Sequence, residues 1–565
     1  MTDSVATAYL ATLADRGVDH LFGNAGTDFA PLLEAYAQGT QGGTAMPRPI
    51  IATHENLAVT MAHGYAMVSG RIPAVMVHVS VGTANMICGA MNAARENVAI
   101  LLTAGRSPIT ETGLPGSRDG YIHWAQEMYD QSGMIREIVK WDYELRNGQQ
   151  LATVVDRALA IAGSEPCGPV YLTLPREVLA APMPGPAAPA PRRLQAAAPA
   201  APDPAAISAA ADMLAEAENP LIVTSNAGRD PSAFTAIAHL AERCGIPVVQ
   251  HKPRYLSIAS SHPMNLGYDP HRLIGESDVI LALETDVPWI PSQAEPAPNC
   301  KVIQAGFDPL FSHIPIRGFA CDLGLTGAPA AIVAALTEAV SARQSAALLG
   351  RRRAWVEARR AVLHGEWDAA REATAGRMPI DLVWLSHCLN GAKDPDTIVI
   401  NEYSLALEHC RFERAECFFG ASSASGLGWG AGAALGAKLA APERPVVAVL
   451  GDGAFMFSNP LAVHHAARLH DLPVLFIIVN NSMWNAVRQS TLAMYPHGRA
   501  AQSNDAPFMR LEELPPFEQI CAAAGGYGER VEDPAALPDA MARALSVVTG
   551  ERRHALLNVI CQVAP

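Results

Sequence analysis

Short apolar runs alternating with longer amphipathic stretches constrain this chain more than any other feature. Residues 74–79 and 98–103 read as buried strands, with helix-like 56–67 before them and 83–95 between them. The alternation recurs at 221–224, 247–250, 279–283 and 301–304, and again at 397–400, 446–450 and 474–479. Apolar runs spaced by helix-length segments predict parallel sheets covered on both faces. The expected fold class is α/β, with three doubly wound parallel-sheet domains.

Breaks in the pattern set the expected boundaries. Residues 182–204 are dense in proline and alanine, a composition that favours an extended linker over a helix. Residues 341–375 read as helix rich in Ala and Arg, ending near Gly376. The blocks are therefore 1–181, a linker at 182–204, 205–340, a helical linker at 341–376, and 377–565. The first and third share an architecture, a Gly-rich turn opening a helix and then strand–helix alternation, without a sequence repeat.

Of 565 residues, 50% are hydrophobic and 17% charged, enough apolar material for large cores and too much for a disordered chain. Net charge is −14, and no dense Lys/Arg run supplies the basic face that nucleic acid or an anionic membrane requires. The N-terminus lacks a basic segment followed by an apolar core, and no apolar run is long enough to span a membrane. Ten cysteines without a Cys-x-x-Cys pair predict free thiols in a reducing, cytoplasmic setting.

The segment with the most chemistry is 446–484. An expected strand runs into Gly451-Asp452-Gly453. Asn459-Pro460 then supplies an N-cap and first helical position, and a second strand ends in Asn480-Asn481. Glycines at a strand's carboxyl end let the backbone approach a ligand, and a helix N-terminus favours phosphate. Asp452 and the Asn481 amide are hard oxygen donors on adjacent strand ends, a set suited to Mg²⁺ on a diphosphate.

Gly-Asp-Gly, 26 residues, then Asn-Asn resembles the signature of thiamine-diphosphate enzymes. The whole chain resembles the branch containing acetolactate synthase, benzoylformate decarboxylase and pyruvate decarboxylase. The resemblance implies a pyrimidine-binding first domain, a Rossmann-like middle domain and a diphosphate-binding third domain. It also implies thiamine diphosphate and Mg²⁺ as cofactors. Thr53-His54-Glu55-Asn56-Leu57 places Glu55 as the carboxylate that hydrogen-bonds the pyrimidine nitrogen and promotes the imino tautomer. By the same resemblance Asp452, Asn481 and the Met483 carbonyl hold the metal. Ser404 and the Gly451, Gly453 and Ala454 backbone lie at the diphosphate, with Ser425 and Leu427 supporting the folded cofactor.

Residues facing the reactive carbon decide the substrate. Thr27 in Gly23-Asn24-Ala25-Gly26-Thr27 and His78 in Val77-His78-Val79-Ser80 resemble catalytic positions of benzoylformate decarboxylase. A second histidine expected near 287–291 is missing, and Val487 stands where pyruvate decarboxylase has a glutamate. Ala486 leaves room for a bulky substituent, with Gln126, Trp484, Ser490 and Tyr495 as further candidate pocket residues. His464-His465 is read as surface or core.

Few proton relays slow protonation and favour carboligation. The expected activity is a 2-oxo acid decarboxylase with carboligase activity. The alternatives are an acetolactate-synthase-like transferase, a 2-hydroxyacyl-CoA lyase or oxalyl-CoA decarboxylase relative, and a catalytically silent cofactor-binding protein. A CoA ester would need cations such as those of His251-Lys252-Pro253-Arg254. The middle block lacks Gly-x-Gly-x-x-Gly after a strand, which leaves FAD open. Family sites lie between subunits, so a homodimer or homotetramer is expected.

Overall fold

Strands buried on both faces account for the continuous apolar runs. In the computed structural model, which describes residues 4–184, 193–403, 405–503 and 506–563, seventeen strands form three separate parallel sheets. The first contains β1 (His20–Gly23), β2 (Arg48–Ile51), β3 (Ala74–Val77), β4 (Leu101–Arg106), β5 (Asp142–Glu144) and β6 (Val170–Pro175), in the order β2-β1-β3-β4-β6-β5. The second contains β7 (Pro220–Thr224), β8 (Val248–Gln250), β9 (Val279–Leu283), β10 (Lys301–Gly306) and β11 (Leu323–Thr326), in the order β11-β10-β9-β7-β8. The third contains β12 (Ile398–Asn401), β13 (Phe418–Gly420), β14 (Val446–Gly451), β15 (Leu475–Asn480), β16 (Tyr527–Val531) and β17 (Ala555–Ile560), in the order β13-β12-β14-β15-β17-β16. The first and third orders are the same permutation. The shared architecture therefore extends to topology.

One apolar core is continuous between these two domains, running from Phe22, Val75 and Leu102 to Ile398, Leu450 and Phe476. Its centre is the crossing of the Glu55–Ser69 and Trp429–Ala440 helices. A Cβ on Gly64 would lie 2.0 Å from the Ala433 carbonyl oxygen, and one on Gly436 would lie 1.9 Å from that of Met61. Backbones this close leave no room for a side chain at either position. The middle domain has its own core and is tied to the first by Arg229–Glu165 (2.8 Å).

Local details depart from expectation in places. The third-domain turn contains an additional short helix, Asp452–Phe457, directly after β14. Asn459 occupies the N-cap position of the Pro460–Leu469 helix, but in a left-handed conformation (φ 58°) with no side-chain cap. The long helix of the second linker is Ala346–Thr374, and of the first linker residues 185–192 lie outside the described residues. Among the described residues no helix is long and apolar enough to cross a membrane.

Candidate active site

Glu55 is the first residue of the Glu55–Ser69 helix and is buried. Asn24, just beyond β1, donates to Oε1 (2.9 Å), and Asn85 donates to Oε2 (3.0 Å). Two amides from two different elements therefore fix the plane of the carboxylate. Nothing local in the sequence marks Asn85, because an Asn inside a helical stretch reads as an ordinary polar position.

His78 follows β3 and occupies the N-cap position of the Val79–Arg95 helix without a side-chain capping bond. Its Nδ1 lies 2.6 Å from Oδ1 of Asp28, which is buried. Gly26 makes this approach possible, since a Cβ there would lie 2.2 Å from Nδ1. The hydrogen bond to Asp28 raises the His78 pKa against the opposing effect of burial, and the charges of Asp28 and Glu55 add to the rise. Gln126 Nε2 faces His78 Nε2 at 3.2 Å, and the Gln126 backbone carbonyl accepts from Ser80 Oγ (2.8 Å). An amide nitrogen only donates, so this contact belongs to the neutral ring with its proton on Nδ1. Protonation of Nε2 requires the Gln126 amide to present its oxygen instead. Thr27, beside Asp28, is exposed. Asp28 is a further residue that sequence reasoning passed over.

The second cluster lies at the ends of β14 and β15, which pair in register (Gly451 with Val479). Asp452 is buried; Oδ1 accepts from Gly453 N (2.7 Å), and Oδ2 from Ser482 N (2.6 Å) and Asn481 N (3.1 Å). Burial raises its pKa despite these donors. Asn481 Oδ1 accepts from Met483 N (3.1 Å), and Ser482 takes φ 52° to turn the chain. Asp452, Asn481 and Met483 are thus joined by hydrogen bonds around one turn, and the Asp452 carboxylate, the Asn481 amide oxygen and the Met483 carbonyl there make a donor set that fits a hard divalent ion such as Mg²⁺. Ala454 is buried and Trp484 packs edge-to-face on Phe457 (5.8 Å between ring centroids). Ala486, Val487, Ser490 and Tyr495 are exposed on or beside the following Asn485–Met494 helix. Ser404 lies outside the described residues.

Ser425 (φ 50°) and half-buried Leu427 lead into the Trp429–Ala440 helix. Asn92 holds this loop by two hydrogen bonds with the Gly426 backbone, at 2.8 and 3.0 Å. Asn92 and Asn85 are on the same helix, so one element supports both the Glu55 carboxylate and the Ser425 loop, about 10 Å apart along its axis. Glu402, beyond β12, caps the Trp429–Ala440 helix by accepting from the N–H groups of Gly428 (2.7 Å), Trp429 (3.2 Å) and Gly430 (2.7 Å). Burial outweighs these donors and pushes its pKa up to about 7.

A cavity of about 720 Å³ between the middle and third domains reaches Ser425 and Glu402 and is walled by His251, Lys252, Arg254 and His271. The cationic run His251-Lys252-Pro253-Arg254 is only partly available there. Arg254 is buried in ion pairs with Asp286 (2.8 Å) and Glu96 (3.4 Å). No histidine stands at 287–291, whereas two others, His251 and His271, line this cavity from the middle domain.

Three family models match in order: the thiamine pyrophosphate enzyme N-terminal TPP binding domain over residues 3–134, the central domain over 207–336, and the C-terminal TPP binding domain over 401–559. The chain belongs to the thiamine pyrophosphate enzyme family. It is 24% identical to a sulfoacetaldehyde acetyltransferase of Castellaniella defragrans, over 98% of this chain and 92% of that protein. It is 26% identical to a benzoylformate decarboxylase of Pseudomonas aeruginosa, over 93% of each. Its fold matches that of a thiamine diphosphate-dependent 4-hydroxybenzoylformate decarboxylase from Rhodococcus jostii RHA1, with a TM-score of 0.78 at 20% identity over the full length of both chains.

Proposed function

We propose that this thiamine-diphosphate enzyme is a 2-oxo acid decarboxylase with carboligase activity, working with Mg²⁺. The observation that carries the reading is the Asp28–His78–Gln126 array beside Glu55: a single imidazole with a raised pKa, held for proton exchange with a small oxo acid. Thiamine diphosphate, when bound, supplies a nucleophilic carbon and an electron sink for breaking or forming the bond next to a carbonyl.

The chain's own groups then have separate tasks. Glu55, oriented by Asn24 and Asn85, would share a proton with the pyrimidine nitrogen of the bound cofactor through a carboxylate oxygen. Asp452, Asn481 and the Met483 carbonyl would hold Mg²⁺, and the Gly451–Ala454 backbone would lie at the diphosphate. Leu427 would support the cofactor, and the Ser425 carbonyl would accept from its amino group. His78, paired with Asp28 and protonated at Nε2 from solvent with the Gln126 amide turned to present its oxygen, would hold the substrate carboxylate and give that proton to the reacting carbon after CO₂ leaves, with Thr27 and Gln126 beside it. Trp484, Ala486 and Ser490 border the space for the substrate's substituent.

A transferase joining two carbonyl compounds is the second reading, favoured by the lack of a histidine at 287–291. The commitment of Arg254 to Asp286 and Glu96 weakens a CoA-ester reading.

Glu55→Gln tests the central assignment. We expect diphosphate binding to be retained and turnover to fall at least about a hundredfold, the scale of a lost acid–base group. Unchanged turnover would refute it. Incubation of the holoenzyme with pyruvate, benzoylformate, a branched 2-oxo acid and a 2-hydroxyacyl-CoA, with CO₂ release and coupled products measured, distinguishes the readings. Cleavage of the CoA ester alone would favour the lyase, and inactivity with cofactor bound a silent binder.

A further inference from the structure

Three ligating side chains meet in the third domain away from the Asp452 turn. His464 lies on the Pro460–Leu469 helix, Cys521 on the Phe517–Ala523 helix, and His554 immediately before β17. All three are buried, and one ligand atom from each lies within 4.8 Å of the other two. The two imidazoles stack, with centroids 5.1 Å apart at 25°. Phe455 and Phe476 flank His464 at 5.9 and 5.5 Å. A buried polar atom in such surroundings needs a partner. Yet among the described residues both ring nitrogens of His464 and Nε2 of His554 have none. Cys521 Sγ faces the Tyr527 carbonyl at 3.4 Å. Gly526 keeps the gap open: a Cβ there would lie 2.4 Å from His554 Nε2 and 2.5 Å from Cys521 Sγ.

We propose that His464, Cys521 and His554 form a binding site for a borderline-soft divalent ion, with Zn²⁺ the best match to two imidazoles and a thiolate. Burial lowers the pKa of the imidazoles to about 3 and about 4, so each is neutral with a lone pair to give. In the absence of an ion, burial pushes the Cys521 thiol up to about 12. Coordination reverses that preference and releases the thiol proton as the metal loads. Tetrahedral zinc holds its ligand atoms about 3.5 Å apart, a spacing that the three side chains reach by small shifts on loading. A water or the Tyr527 carbonyl takes the remaining position. The ion joins the helix that follows the Gly451-Asp452-Gly453 turn to the helix and strand that close the domain. It is a structural pin, distinct in donors and place from the Mg²⁺ site.

The test uses full-length protein from zinc-supplemented culture, saturated with thiamine diphosphate and Mg²⁺, with metals measured by plasma mass spectrometry. We expect on the order of one zinc per chain, and a fall of roughly tenfold or more in Cys521→Ala with cofactor binding retained. Cobalt-substituted wild type should show a thiolate-to-cobalt absorption band, a readout that stands even where the variant does not fold. Folded wild type with little zinc and no such band, or equal zinc in a folded Cys521→Ala, would overturn the proposal.

Discussion

Asp28 governs the charge on His78 through a 2.6 Å hydrogen bond. Because that pairing raises the His78 pKa, its stabilising contribution is fully present below the ordinary histidine pKa and is lost as pH rises through the higher native value. Asp28→Asn keeps the shape of the side chain and removes the charge, so the basic limb of the kcat/KM profile should move to lower pH. An unmoved limb, measured on folded protein, would remove Asp28 from the site. The places of Glu55 at a helix start and of His78 directly after a strand were legible in the sequence, because both stand in short motifs. Asn85 and Asp28 were not, because they act through side chains that only the fold brings within reach.

At the scale of elements, the site depends on how closely two helices cross. Gly436→Ala would drive a Cβ into the Met61 carbonyl, and the backbone cannot yield without separating the Glu55 helix from the Trp429–Ala440 helix. We expect a loss of about 1–3 kcal/mol or more in denaturant unfolding, the scale of core overpacking. Glu402→Gln should cost about 1–3 kcal/mol, because its amide NH₂ leaves at least one of the N–H groups of Gly428, Trp429 and Gly430 without an acceptor. Wild-type stability in either comparison would contradict the packing described. The strands around Asp452 were readable from apolar runs bounded by glycine and asparagine. The Asp452–Phe457 helix was not: it is a short turn whose place is set by the backbone donors around Asp452 rather than by periodicity.

For the whole molecule, thiamine diphosphate with Mg²⁺ should raise the midpoint of thermal unfolding. Binding to the native state alone adds about 2.7 kcal/mol at a ligand concentration a hundred times Kd. Chelation of Mg²⁺ or Asp452→Asn should abolish most of that shift, and a shift independent of both would move the metal away from Asp452. Exposed Ile51 and Val81 near the Glu55 cluster, and exposed Met456, Phe457 and Leu461 after the Gly451-Asp452-Gly453 turn, fit burial in a subunit interface. Sedimentation of the holoenzyme should therefore give at least a dimer, and an active monomer would refute this. By itself the sequence determined the α/β class, the cofactor family and the residues at strand ends, because apolar periodicity and short motifs are written in consecutive residues. Only the tertiary structure decided that the first and third sheets share one strand order, that Asp28 holds His78, that Arg254 is spent on Asp286 and Glu96, and that His464 meets Cys521 and His554. Those facts depend on contacts between residues distant in the chain, which packing of the whole molecule sets and no local pattern encodes.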